Sequence, residues 1–374
     1  MTEPVSGPSV VATRRSPADV IVVGDGIIGL SVALAVSRAG GTSCVIGHQA
    51  AGSASPASAG LLAPSIGRPE PGIRRLMTAA RERFPAFLRW LAERSGIDVP
   101  LNQRGIIELA FSPADSAALR ERQGASARFL EPAALRAMEP SLAPAAGALL
   151  HAGDGFVDVA QLLAAMREAA RCEWALDRVE GRVARIEHES DIWQAFTEDG
   201  RRYSARALVL AGGAWTPLIV GVPRPLPVEP VRGQMLALRG APLQHAVAGP
   251  DAYVLPRGEL TVVGSTLERV GFDHSTTKPA LDRLRAAAVA LLPELAQAET
   301  AAAWAGLRPL TSDGLPIISR DPEAPSLVYA CGHGKNGILL APITGECVAA
   351  LLAGTSFDVD LEPFAVSRFG ARGR

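Results

Sequence analysis

Three glycines, spaced Gly24-x-Gly26-x-x-Gly29, carry the most specific chemistry that spacing alone suggests in this sequence. They follow the apolar run Val20–Val23 and lead into Leu30–Val36, so they read as a strand, a tight turn and a helix. At such a junction the first glycine permits the turn and the second lets the backbone approach a pyrophosphate. The third lets the helix pack on the strand, so the phosphates sit at the helix N-terminus. A second strand, Ser43–Ile46, follows Gly40 and Gly41 and completes a βαβ unit that grips a dinucleotide. The plainer alternative is a glycine-containing apolar helix at a tight junction. One part of the grip is absent. The second strand usually ends in an acid about 20 residues past the glycines, where it accepts from ribose hydroxyls. Here that place holds Gly47, followed by His48. Losing a charged acceptor costs about 1.5–3 kcal/mol of cofactor binding. A neutral imidazole or a backbone group could replace it, although His48 also reads as a surface histidine.

The elements around this turn must position it. Ala51–Pro64, AGSASPASAGLLAP, is a small-residue loop entering a helix, and its short side chains let backbone amides approach a ligand; an ordinary Ser/Ala linker is the alternative. Met77–Ser95 has helical spacing, with Phe84, Phe87 and Trp90 read as core rather than as an aromatic binding box. A strand at Gly105–Ala110 and helices starting near Pro113 and Pro132 mark a change of character that suggests a second domain inserted into the first. Gly153–Ala170 puts a turn before a helix with Asp158 as N-cap. Val179–Ile186 and Asp191–Phe196 read as antiparallel strands, and Ala207–Leu210 as a parallel strand whose glycine-rich end, Ala211-Gly212-Gly213-Ala214-Trp215, faces the cofactor crevice. Val228–Leu238, Ala252–Pro256 and Leu260–Gly264 read as strands of the second domain's sheet. Asp282–Leu292 reads as a helix with a solvated charged face.

With 374 residues, 48% of them hydrophobic, the chain is long enough for two domains. A formal charge of -1 offers no nucleic-acid footprint. Cys44, Cys172, Cys331 and Cys347 fit neither metal spacing nor a small disulfide framework, which points to a reducing cytoplasm and no metal. Arg14 and Arg15 could be read as a twin-arginine export signal, but Asp19, Asp25 and three glycines interrupt the apolar run that would follow. Residues 1–17 are therefore expected to be a disordered tail. No stretch supplies the roughly 20 uninterrupted apolar residues of a membrane span. Ile338–Leu352 contains Pro342 and Glu346 and reads as a buried helix.

Eight stretches, in order along nearly the whole chain, resemble the glycine oxidase branch of the D-amino acid oxidase family of FAD enzymes. They are GDGIIGLSVA, SAGLLAP, GFVDVAQLLAAM, LVLAGGAWTP, VRGQMLAL, YVLPR, WAGLRPLTSDGLPII and GHGKNGILLAPITGE. Any one is weak; the ordered set is strong. The resemblance implies an α/β fold, a Rossmann-like FAD-binding domain with an inserted α+β substrate domain. This is the p-hydroxybenzoate-hydroxylase-like architecture of the glycine and sarcosine oxidases. The expected FAD-binding segments are residues 18–85, 150–222 and 303–374, with 86–149 and 223–302 forming the substrate domain.

By the same resemblance, Arg308 pairs with a substrate carboxylate, a role that suits a planar, permanently charged fork; a structural salt bridge is the alternative. Tyr253 lies over the substrate site, donating to that carboxylate or closing the pocket, with a structural tyrosine as the alternative. The loop Gly332–Gly337 lies along the flavin, and the helix after it points its positive end at the ring. Lys335 adds a cation where relatives often carry arginine, and His333 is a loop residue near the flavin rather than a general base. The expected cofactor contacts are Gly24, Gly26, Ile27, Ile28, Gly29, Gly47, His48, Ser53, Ala54, Ser55, Ala59, Gly60, Leu61, Val183, Gly212, Trp215, His333, Gly334, Lys335, Asn336, Gly337, Ile338 and Leu339. Sarcosine oxidases tether flavin through a cysteine, and Gly306 stands in that neighbourhood here, so FAD is expected to be non-covalent. The implied partners are a small amino acid or amine and molecular oxygen, with a homo-oligomer open. Two other readings remain: a dehydrogenase that passes electrons to a quinone or partner subunit, and a binding or regulatory protein that lost the flavin, motivated by Gly47.

Overall fold

The computed structural model describes residues 18–67, 69, 71–240 and 243–370; the expected tail, 1–17, lies outside them. The apolar run before the glycines forms the strand Ala18–Val23, which pairs in parallel with Ser43–Gly47 on one side and Arg202–Leu210 on the other. Leu176–Glu180 extends this sheet beyond Ser43–Gly47, and Leu327–Cys331 extends it beyond Arg202–Leu210, both in parallel. Both faces of the central strand are buried. Val20 and Val22 meet the core formed with the helices Ile27–Arg38, Pro71–Ser95, Val159–Cys172 and Gly337–Ala353. Ile21 and Val23 meet a second core that contains Trp193 and Tyr329. Burial on both sides explains why these strands read as continuous apolar runs rather than alternating ones.

The second sheet has eight strands, in the spatial order Thr300–Thr311, Val228–Arg239, Leu260–Gly264, Tyr253–Arg257, Ala246–Ala248, Ile106–Ala110, Gly147–His151 and Ala127–Leu130. One face is covered by the helix Lys278–Leu291. Met235, Leu255 and Val262 belong to a smaller apolar cluster that also includes Ala59 and borders Tyr253 and Trp304. The long strand Thr300–Thr311, which carries Arg308, belongs to this sheet. The chain rejoins the first sheet at Ile317–Arg320.

Local readings of the sequence hold at several ends. Asp158 caps its helix by accepting from the Gln161 amide at 3.0 Å, and helices begin at Pro113 and Pro132. Elsewhere the structure differs. The single strand expected at Val179–Ile186 is two, Leu176–Glu180 in the parallel sheet and Val183–Glu189 in an antiparallel hairpin. The break falls at Gly181, whose amide donates to the Gly47 carbonyl and closes the end of the parallel ladder. Among the described residues one helical stretch, Gly334–Ala353, is long and apolar enough to cross a membrane by length and composition, yet more than half of it is buried in the core.

Candidate active site

A single cavity of about 540 Å³ joins the glycine turn to the loop at the other end of the chain and to Arg308. One end is built by the turn itself. Gly24 has φ +111°, a conformation that favours glycine, and a Cβ there would overlap the Ala211 carbonyl. A Cβ at Gly29 would overlap the Gly24 carbonyl, so helix and strand close to a distance only glycine permits. The helix Ile27–Arg38 has no side-chain cap and no acid in its first turn. The Ile27 amide donates to Ser55 Oγ at 3.0 Å. Amides, a hydroxyl and the positive end of a helix thus face one cleft, which is the chemistry of an anion cradle.

Opposite lies the second sheet. Its pairing sets Gly233 against Gly306, Val231 against Arg308, and Met235 against both Trp304 and Gly264, with Tyr253 against Gly264. A Cβ at Gly233 would overlap the Arg308 guanidinium, and one at Gly264 would overlap the Tyr253 ring and hydroxyl. The two glycines therefore leave the space in which the two polar groups lie. Arg308 donates to the Thr266 carbonyl at 3.0 Å and to Ser265 Oγ at 2.7 Å. Both partners are neutral, and no carboxylate among the described residues forms an ion pair with it. Burial lowers its pKa from the ordinary arginine value, but a guanidinium remains charged at working pH. The Tyr253 hydroxyl lies 3.6 Å from the Met235 sulfur and also interacts with Ser265, and burial raises its pKa, so it stays a neutral phenol.

At the far end, Gly334–Asn336 forms a short turn before the helix Gly337–Ala353, whose first turn contains no acid. His333 is buried, with Nε2 3.0 Å from Thr344 Oγ1. Burial pushes its pKa down to about 3, so the ring is neutral. Lys335 is exposed at the cavity rim.

Of the residues expected from the sequence, Gly24, Gly26, Ile27, Ile28, His48, Ser53, Ala54, Ser55, Ala59, Leu61, Gly212, Trp215, Tyr253, Arg308 and the run His333–Leu339 line this cavity. Gly29, Gly47, Gly60 and Val183 do not line it. Gly29 sits behind the turn, and a Cβ at Gly60 would overlap the Val157 carbonyl. Val183 is buried in the hairpin strand, and Gly47 borders a neighbouring cleft of about 460 Å³. His48 is exposed and touches both spaces. Sequence reading missed Asp25, Met235, Gly233, Ser265 and Thr266. Ser265 and Thr266 follow a strand without any local signature, and only the fold brings them to Arg308.

These features are the chemistry of a dinucleotide-binding enzyme, with a partly buried guanidinium able to seat a small anion. Comparison with known proteins gives the class its particular form. Residues 19–351 match the model of the DAO family, described as FAD-dependent oxidoreductases. The glycine oxidase of Geobacillus kaustophilus is 34% identical, the match covering 94% of this chain and 97% of that protein. A bifunctional protein ThiO/ThiG of Synechocystis is 32% identical over 95% of this chain but only 54% of its own length. The crystal structure of the Geobacillus kaustophilus glycine oxidase superposes with a TM-score of 0.88 at 32% identity, covering 94% of this chain and 99% of that one. The chain belongs to the DAO family of FAD-dependent oxidoreductases, and FAD is its cofactor. The cavity residues fit that group, since the glycine turn and Ser55 suit a pyrophosphate, and the uncapped second helix suits a ring that gains negative charge on reduction.

Proposed function

We propose that this enzyme oxidises a small amino acid, glycine, sarcosine or a small D-amino acid, to an imine that hydrolyses to a keto acid and ammonia, or methylamine where the substrate is sarcosine. The observation that carries the reading is Arg308: a partly buried guanidinium in the same cavity as the glycine turn, held by two neutral acceptors. A partly desolvated charge with only neutral partners gains from an opposite one, so this seat is completed by an anion from outside. A substrate carboxylate meets that need bidentately. Once seated, the substrate lies beside the Tyr253 hydroxyl, whose neighbours are the Met235 sulfur and Ser265 and which can turn to donate to the same carboxylate. FAD, held without a covalent link, supplies a hydride acceptor at N5 and a route for the two electrons to molecular oxygen, which leaves as hydrogen peroxide.

The protein's own residues orient rather than exchange protons. His333 is held neutral with a pKa near 3 and is tied to Thr344, so it does not take the amine proton. The substrate therefore reacts with its amine already neutral, and kcat/KM rises with pH towards the amine pKa. Replacing Arg308 with Ala removes the carboxylate seat. Turnover at ordinary substrate concentrations falls roughly a hundredfold or more, while the bound flavin spectrum is retained. Unchanged kinetics would reject the role. A panel of amino acids and N-methyl amines, scored for peroxide release, identifies the substrate. Activity seen only with a quinone or dye acceptor would assign the enzyme to the dehydrogenases.

A further inference from the structure

The ribose acceptor missing from the end of the second strand has a counterpart in the glycine turn. Gly47 is buried, and a Cβ built on it would overlap the Asp25 Cβ while lying 2.5 Å from the Asp25 amide nitrogen and 2.6 Å from its carboxyl carbon. The space that a side chain at the strand end would enter is thus already filled by the carboxyl arm of Asp25. No acid fits at position 47 while the turn carries one at position 25. Asp25 lines both the large cavity and the neighbouring cleft that Gly47, His48, Arg167 and Arg178 border. Its Oδ2 accepts from Arg178 at 3.3 Å, and Oδ1 has no hydrogen bond among the described residues.

We propose that Asp25, within the glycine turn, is the carboxylate that accepts from the ribose hydroxyls of the adenosine half of FAD, in place of the acid that the second strand lacks. Two acceptor oxygens on one short arm match two vicinal hydroxyls, and Arg178 offsets the negative charge that Asp25 brings near a pyrophosphate. Glu180, which pairs in register with Gly47, is the other acid on the cleft, but it is exposed. The proposal rests on the reading that the adenosine half lies at the ends of the strands Ala18–Val23 and Ser43–Gly47.

The test is the affinity of the apoprotein for FAD, measured by flavin fluorescence titration, with circular dichroism reporting the fold. Asp25→Ala weakens FAD binding roughly ten- to a hundredfold, the loss expected for a charged hydrogen-bond partner. Asp25→Asn, which keeps the side-chain volume, gives an intermediate loss, and Glu180→Gln gives none. Wild-type protein discriminates between FAD and its 2′-deoxyadenosine analogue, and Asp25→Ala abolishes that discrimination. Arg178→Met separates a ribose contact from a structural ion pair. If it reproduces the Asp25→Ala loss with discrimination between the two flavins intact, the pair is structural and the assignment is overturned. Equal FAD affinity in wild type and Asp25→Ala also overturns it. A folded wild-type apoprotein that takes up no FAD would instead overturn the cofactor placement itself.

Discussion

His333 shows how a residue that looks catalytic can be set aside by its surroundings. It stands in a glycine-rich loop beside the cofactor cavity, where an imidazole invites a role as base, yet burial holds its pKa near 3. The unfolded chain has an ordinary histidine, near pH 6.5, so between about pH 6.5 and 3 the unfolded state binds a proton that the folded state refuses. Stability attributable to this group is complete above that window and is lost as pH falls through it, at up to roughly 1.4 kcal/mol per pH unit. His333→Gln can keep a hydrogen bond to Thr344 but does not titrate. Its unfolding free energy by urea denaturation is expected to fall less steeply with acid than that of wild type, and parallel slopes would show that His333 protonates freely in the folded protein. At this scale the sequence was informative about residue types and silent about partners. Arg308 could be singled out from its motif, but Ser265 and Thr266, which hold it, come from another strand's end.

At the scale of elements, the floor of the proposed active site is a matter of what the strands omit. Gly233 and Gly264 sit on adjacent strands of the second sheet and yield their side-chain space to Arg308 and Tyr253. Glycine weakens a strand by about 0.5–1 kcal/mol relative to alanine, so these positions trade local stability for room. Gly233→Ala separates the two effects. The variant is expected to fold with a Tm close to wild type and to keep its flavin, while the displaced guanidinium raises KM about tenfold or more. A steady-state KM equal to that of wild type would show that the guanidinium lies elsewhere during turnover. Strands were legible from apolar runs and the turns between them, and helix starts from the Asp158 cap and proline placement. The split of Val179–Ile186 was not, because both halves mix apolar with charged residues in the same way and the difference lies in which sheet each joins. The Asp25–Gly47 relation was half legible: the sequence displays the missing acid, and only the proximity of turn and strand end displays its replacement.

For the whole molecule, the cofactor cavity depends on two helices distant in sequence, Ile27–Arg38 and Gly337–Ala353, which both belong to the main core and whose N-terminal residues line the cavity. They cross at Gly345, where a Cβ would overlap the Ser31 carbonyl oxygen, lie 2.8 Å from its carbon and 3.3 Å from the Ala35 methyl. Backbone meets backbone here, so no rotamer change relieves an added methyl. Gly345→Ala gains up to about 1 kcal/mol of helix propensity but incurs an overpacking cost of typically 1–3 kcal/mol, and the second term wins because two whole helices must separate. That separation also moves the two cofactor-facing ends apart. Because FAD binds the folded state, saturating FAD raises Tm by an amount set by its concentration relative to Kd. The variant is therefore expected to lose Tm as apoprotein and to gain less from added FAD than wild type does, both read from one thermal titration. A variant whose apoprotein melts lower but whose FAD-dependent rise matches that of wild type would show that the crossing supports the core alone and leaves the spacing of the cavity's two ends untouched.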